Sequence, residues 1–180
     1  MPGLPVRTLS AKSGQGVAEW LHEILAGEIA LRNTILEIDY ARYARAEAAL
    51  AWLNCRVSAR PHIAVSPAML AGPLLEGISA AIAAQGLRIV HLKLLNACAT
   101  GYIKAGLCGN QEEPRVEGVL DAEPCGDHDL LLNIRAVGDP AALRAIVERE
   151  LERLDAKVEI RSLECFRPAA PQPQHRVSAS

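Results

Sequence analysis

The sequence predicts an α+β domain in which helices cover one face of a single sheet. Three observations carry that expectation. Leu53, Cys55, Val57 and Ala59 alternate with Asn54, Arg56, Ser58 and Arg60, the two-residue period of a strand buried on one side. Ser66-Pro67 and Asp139-Pro140 each offer a capping side chain followed by a proline suited to the first helical turn. From residue 53 onward the patterns run strand, helix, strand, strand, strand, helix, strand. That order is two βαβ halves with an extra hairpin strand between them, a ferredoxin-like βαββ(β)αβ sheet.

Residues 4–10 read as the end of a short strand. Ser13 then caps a helix whose Val17, Leu21, Ile24 and Leu25 recur at helical spacing. Gly27 marks a stop, although an apolar stretch through Ile29, Leu31 and Ile35 continues past it. A linker helix is expected from Asp39 to Trp52, with Tyr43, Ala46, Leu50 and Leu53 three and four apart. The alternating strand of residues 53–60 follows, limited by Pro61. The next helix opens at Ser66-Pro67 or at Gly72-Pro73, buries Leu74, Ile78 and Ile82, and stops at Gly86.

Leu87 to Leu95 and Thr100 to Cys108 form a hairpin. Residues 109–127, rich in Gly, Pro and acids, make a long loop with a short strand near Val116 to Leu120. Asp129 to Val137 is Leu-rich on both faces and therefore expected in the middle of the sheet. The helix opened by Asp139-Pro140 buries Leu143, Ile146 or Val147, Leu151 and Leu154, and Lys157 to Phe166 is the last strand. The tail after Arg167 lacks apolar anchors and is expected to be disordered. Four regions result: a strand–helix segment over 1–35, a linker helix over 36–52, the sheet domain over 53–167, and the tail over 168–180.

At 180 residues the chain can bury one core with an appendage. Half the residues are hydrophobic, but the apolar mass is Ala, Leu, Ile and Val, with one Phe, two Trp and three Tyr. The net charge is -2 with the signs interspersed. Such a chain has neither a basic footprint for duplex nucleic acid nor stacking platforms for single strands, so no nucleic-acid partner is expected. No signal peptide is visible, and no stretch approaches 18 uninterrupted apolar residues. The expectation is a cytoplasmic protein without a membrane partner.

There is no Gly-x-x-x-x-Gly-Lys-Ser/Thr phosphate loop and no Gly-x-Ser-x-Gly nucleophile turn, so hydrolysis finds little support. Ser13-Gly14-Gln15-Gly16 reads as a helix-entry turn. Among His22, His62, His91, His128 and His175 no two lie three or four residues apart, which leaves no helical metal pair. His91 and Lys93 stand out because they alternate on one strand face together with Leu87, Ile89 and Leu95. They are either an exposed surface with the lysine reaching water, or a small anion- or carboxylate-binding spot. Cys55 and Cys165 lie in strand-like runs and read as small buried hydrophobes. Cys98, Cys108 and Cys125, in or near turns, are the candidates for a soft-metal site.

Two stretches together resemble a known family. Leu9-Ser10-Ala11-Lys12-Ser13-Gly14-Gln15-Gly16-Val17, followed by Trp20-Leu21, is similar to the closing segment of a P-loop GTPase domain, where a Ser-Ala-Lys turn contacts the guanine base. Ile38-Asp39-Tyr40, with Tyr43-Ala44-x-Ala46-Glu47-Ala48-x-Leu50-x-Trp52-Leu53-Asn54, resembles the linker of CobW-like GTP-binding proteins. Their C-terminal domain is a strand-helix-strand-strand unit with an Arg-x-Lys-Gly strand motif. Val90-His91-Leu92-Lys93-Leu94 sits in the comparable strand, where Lys93 matches and the Arg and Gly do not.

The resemblance covers residues 6–166. It implies the C-terminal part of such a protein, without the phosphate loop, the switch segments, the Asn-Lys-x-Asp base motif and the Cys-rich metal motif. It further implies a non-catalytic client-binding module for metal or cobalamin cofactor delivery. Ser10, Ala11 and Lys12 would be the guanine-base turn. The partners would be a GTPase domain or another copy of the chain, and a metal- or cobalamin-dependent client. GTP and a divalent metal would belong only to the complete family protein, so no cofactor is expected in this chain alone. The alternative is an independent ferredoxin-like small-molecule-binding domain, and a third reading is a small enzyme using His91 and Lys93. A chain without a phosphate loop should show no low-micromolar affinity for GTP, which titration calorimetry checks directly.

Overall fold

The alternation that becomes obvious at Leu53 starts earlier, at Leu50, where strand β1 (Leu50–Pro61) opens. The computed structural model describes residues 6–27 and 40–169. In β1 the odd positions from Ala51 to Ala59 are buried, and the even positions point to the opposite side. Strand β5 (His128–Val137) does the same with Leu130, Leu132, Ile134 and Ala136. The other strands are β2 (Arg88–Cys98), β3 (Gly101–Leu107), β4 (Arg115–Gly118) and β6 (Ala156–Phe166). They form one six-stranded sheet of order β4-β3-β2-β5-β1-β6, antiparallel at every pairing. The fold is therefore α+β, with β5 in the interior of the sheet as its Leu-rich sequence requires.

Two helices close the core. Helix α3 (Pro67–Ala84) is capped by Ser66, whose side chain accepts from the Met69 amide at 3.3 Å. Gly72-Pro73 does not open the helix: Pro73 lies inside it, and the serine cap decides the start. Helix α4 (Pro140–Glu152) is capped by Asp139, which accepts from the Ala142 amide at 3.0 Å. Leu70, Leu74, Leu75, Ile78 and Ile82 of α3 join Leu143, Ile146, Val147 and Leu151 of α4 in one cluster with the buried strand residues. By length and composition α3 would pass for a membrane span, yet its apolar stripe is buried against this sheet. The apolar run visible in sequence was shorter because Gly, Pro and Glu interrupt it.

Gly77 lets the two helices approach. A Cβ there would lie 2.6 Å from Glu150 Oε2, on a carboxylate that is itself buried and paired with Arg153 at 2.6 Å. Gly86, at φ +72, ends α3 in the left-handed conformation that glycine adopts without a Cβ penalty.

The described residues fall into two units, 6–27 in the first and 40–169 in the second. The first holds α1 (Val17–Leu25), which starts from Gly16 rather than Ser13. Gly16 sits at φ +73, and a Cβ there would meet the Thr8 carbonyl at 2.8 Å. Ser13 instead accepts from the Gln15 amide within the entry turn. Residues 6–10 do not form the expected strand; a strand needs a neighbour to satisfy its backbone, and none of the described residues pairs with them. No residue of α1 is buried. In the second unit, helix α2 (Tyr40–Ala48) ends before Trp52, because β1 has claimed Leu50 to Trp52. The stretch Ile29 to Ile35 and the tail from residue 170 lie outside the described residues.

The two faces of the sheet should respond differently to truncation. Leu132→Ala, fully buried in the central strand, is expected to cost about 2–5 kcal/mol. Leu131→Ala on the other face is expected to stay within about 0.5 kcal/mol. Denaturant unfolding of both variants checks the facing directly.

Candidate functional site on the open face of the sheet

Helices α3 and α4 pack on one face of the sheet, and the side chains of the other face are half-buried or exposed. The placement of His91 on that face depends on a register shift in β2 between Ile89 and His91. The extra residue reverses the alternation. Ile89, Leu92, Leu94 and Asn96 are buried on the helix side, while His91, Lys93, Leu95 and Ala97 fall on the open side. Of the three leucine and isoleucine residues expected to share the His91 face, only Leu95 does; Leu87 and Ile89 belong to the core.

Strand pairing assembles rungs across this face. Trp52 of β1 pairs Arg135 of β5, which pairs His91 of β2. The next rung is Asn54, Asn133 and Lys93, and the one after it Arg56, Leu131 and Leu95. On the far side, Asn54 pairs Glu164 of β6.

A directed hydrogen-bond chain crosses the two polar rungs. The Asn133 amide nitrogen donates to Asn54 Oδ1, so Asn133 offers its oxygen to His91. His91 Nε2–H donates to that oxygen at 2.7 Å, which places the ring proton on Nε2. Burial holds the His91 pKa below its ordinary 6.5, the neighbouring charges of Arg135 and Lys93 push the same way, and the Asn133 hydrogen bond opposes them. The neutral ring therefore keeps Nδ1 as an acceptor.

Arg135 is the unusual group. Its guanidinium carbon lies 3.8 Å from the Trp52 ring centroid, and Trp52 in turn leans on Phe166 with centroids 6.1 Å apart. Among the described residues no carboxylate pairs with Arg135, so its cation rests on an aromatic face. Arg135 Nε and Trp52 Nε1 are buried without a hydrogen-bond partner. Unsatisfied buried donors are uncommon and costly, and here two sit side by side.

Further along the same face, beyond the Asn54–Asn133–Lys93 rung, the surface is concave. A groove of about 320 Å³ has Leu95, Ala97 and Leu131 as its apolar lining, with Arg56, Arg161 and Asp129 at its polar edges. Arg161 reaches it because β6 carries a bulge there: Arg56 pairs Ser162, Val57 pairs Ile160, and Arg161 is left unpaired between them. Asp129 accepts from Ser58 at 3.2 Å. A second groove of about 440 Å³ shares Ala97, Asp129 and Arg161 and continues to Cys98 and Cys125. Arg60 and Asp127, also lining it, are paired at 2.6 Å.

The residues singled out from sequence are distributed as follows. His91 and Lys93 do share the open face, one rung apart and flanked by Arg135. Ser10, Ala11 and Lys12 form an exposed turn leading into α1. Ser10 Oγ accepts from the Ser13 amide at 3.3 Å, and its backbone bonds Gln15 and Gly14, so the turn is closed on itself. Cys98, Cys108 and Cys125 do not converge. Cys98 pairs Gly101 and Leu107 pairs Leu92, which puts Cys108 about 20 Å down the hairpin at ~3.3 Å per residue. Among the described residues no three metal-ligating side chains cluster. Cys55 is buried, which pushes its thiol up to about 11, and burial also raises Cys165.

Asn133, Arg135 and Arg161 carried no signal in the sequence, Asn54 was marked only by its alternation with the buried positions of β1, and Trp52 was expected in the linker helix. The pairing that sets Trp52, Asn54, Asn133 and Arg135 in rungs with His91 and Lys93 is long-range. No family model matches the sequence, and no curated protein or solved structure is similar to it.

His91 makes the site titratable. The unfolded ring binds its proton near 6.5 and the folded ring only at lower pH. Its neutral form contributes fully above the unfolded value, and that contribution is lost as pH falls through the folded one. An NMR titration should find the His91 pKa below that of a histidine in a short peptide. Arg135→Gln should move it upward.

Proposed function

We propose that this chain is a non-catalytic ferredoxin-like binding module whose open sheet face takes a small organic anion with an apolar body. The fold assignment is supported by the sheet order. With the β3–β4 extension set aside, the order β2-β5-β1-β6 with crossovers α3 and α4 is the one a βαββαβ chain adopts. The binding role is carried by one observation: Arg135, which among the described residues has no carboxylate partner and whose Nε is buried without an acceptor, stands on the same face as the groove edged by Arg56 and Arg161, with the Asn133–Lys93 rung between them.

A carboxylate over Arg135 would pair with its guanidinium, with Lys93 one rung on adding charge. Leu95, Ala97 and Leu131 would cover the apolar part, in a groove of the size that small ligands occupy. The strand bearing His91 and Lys93 is also the counterpart of the basic strand in CobW-like C-terminal domains. That resemblance supplies a setting, client recognition during metal or cobalamin delivery, in which the same face would meet its partner.

The test is thermal unfolding of the full chain with a panel of aliphatic carboxylates and organic phosphates. A ligand at ten times its Kd adds about 1.4 kcal/mol, or an upward shift of about 3–6 °C in Tm. Arg135→Gln should abolish the shift relative to its own unliganded Tm. If no anion stabilises the chain, or if the shift survives in Arg135→Gln, the reading fails.

A further inference from the structure

The far end of the open face holds a second arrangement that the anion site does not use. Cys98 closes β2, and Cys125 lies in the loop that enters β5; both line the 440 Å³ groove. The backbone of Cys125 is fixed from several directions. It exchanges two hydrogen bonds with Val65, at 2.9 and 3.3 Å. Its carbonyl faces His128 Nε2 at 3.0 Å. His128 is buried and meets Asn96 Oδ1 at 3.2 Å through Nδ1, while the Asn96 amide donates to the Pro67 carbonyl at 2.9 Å. The loop just before it is tied by Thr100 Oγ1, which donates to the Glu123 carbonyl at 2.6 Å. Cys98 Sγ lies 3.1 Å from the same Thr100 oxygen.

These ties hold the two cysteines on one groove: Cys98 Sγ meets Thr100, and Thr100 holds the Glu123 carbonyl two residues before Cys125. The Asp127 backbone, then that of Ala99, the Cys98 side chain and the Gly126 backbone hold the Cys125 thiol below its ordinary 9.0, against an opposing effect of burial. The Asp127 carbonyl, 3.5 Å from the sulfur, accepts from the protonated form. The other cysteines lack such surroundings. Cys55 is buried with its thiol pushed up to about 11, Cys165 is raised by burial, and Cys108 stands alone at the opposite end of the hairpin.

We propose that Cys98 and Cys125 form a dithiol site that undergoes thiol–disulfide exchange, with Cys125 as the attacking sulfur and Cys98 as the resolving one. The co-reactant is a low-molecular-weight disulfide, RSSR. The Cys125 thiolate attacks one sulfur of RSSR, a mixed disulfide forms, and the first RS⁻ leaves and takes up the proton that Cys125 released. Cys98 then loses its proton and attacks Cys125 Sγ. The second RS⁻ leaves and takes up that proton. Two protein thiols are oxidised to one disulfide and RSSR is reduced to two RSH, so electrons and protons balance. Excess RSH runs the sequence backward. The inference stands on the thiol pair alone and does not depend on the anion-binding reading.

The experiment uses the full chain, fully reduced and then exposed to glutathione disulfide at neutral pH. The expected product has lost two hydrogens and carries no adduct, and peptide mapping should join Cys98 to Cys125. In Cys98→Ser the reaction should stop at a glutathione adduct on Cys125. Independently of any variant, iodoacetamide should label Cys125 of the reduced wild-type chain several-fold faster than Cys108, with Cys55 and Cys165 slowest. Labelling of Cys108 as fast as Cys125, adducts spread over the exposed cysteines, or a cross-link that omits Cys125 would each overturn the proposal.

Discussion

The core rests on the alternation in β1 and β5. These adjacent strands send Ala51, Leu53, Cys55, Val57 and Ala59, with Leu130, Leu132, Ile134 and Ala136, to the same side, where α3 and α4 cover them. A period of two leaves no freedom: once the odd positions of β1 are buried, Trp52, Asn54, Arg56, Ser58 and Arg60 must face the other way. Helices α3 and α4 cover one face of the sheet, and among the described residues the polar groups of the opposite face meet one another laterally.

Those lateral contacts explain the chemistry of the open face. Antiparallel pairing sets side chains of neighbouring strands within reach of one another, so Trp52, Arg135 and His91 become a row although more than 80 residues separate the first two. The amide chain from His91 through Asn133 to Asn54 is the satisfied part of that row. Arg135 over Trp52 is the part left open. The indole stabilises the cation without accepting a hydrogen bond from it, and the buried Arg135 Nε is left without a partner. Two bulges refine the arrangement. One in β2 turns His91 outward, and one in β6 turns Arg161 toward the groove.

The cysteine corner depends on a different kind of constraint. Asn96 is fully buried in β2, and its amide and carbonyl tie Pro67 of α3 to His128 of β5. A buried polar network of this sort is costly when incomplete and rigidifying when complete. Here it holds the Cys125 segment against the end of β2, so a loop rich in Gly, Pro and acids delivers a defined sulfur position. The aliphatic core supplies stability, and this small polar cluster supplies placement.

By itself the sequence determined what depends on neighbours a few residues away. The serine and aspartate caps, the stops at Gly27 and Gly86, the alternating strands and the aliphatic helix stripes all follow from local propensity and period. The α+β order followed from them. Where local signals competed, the long-range partner won. β1 took Leu50 to Trp52 from the linker helix because β5 and β6 bond those residues, and residues 6–10 formed no strand where none of the described residues pairs with them. Only the tertiary structure decided the sheet order, the bulge that separates His91 from Ile89, the meeting of Arg135 with Trp52, and the choice of Cys125 over Cys108 as neighbour of Cys98. Each of these is a contact between distant segments, and a bulge shifts facing by one residue without leaving a mark in hydrophobic period. Pairing register is set by the total burial of all strands at once, a quantity that no single window of sequence contains.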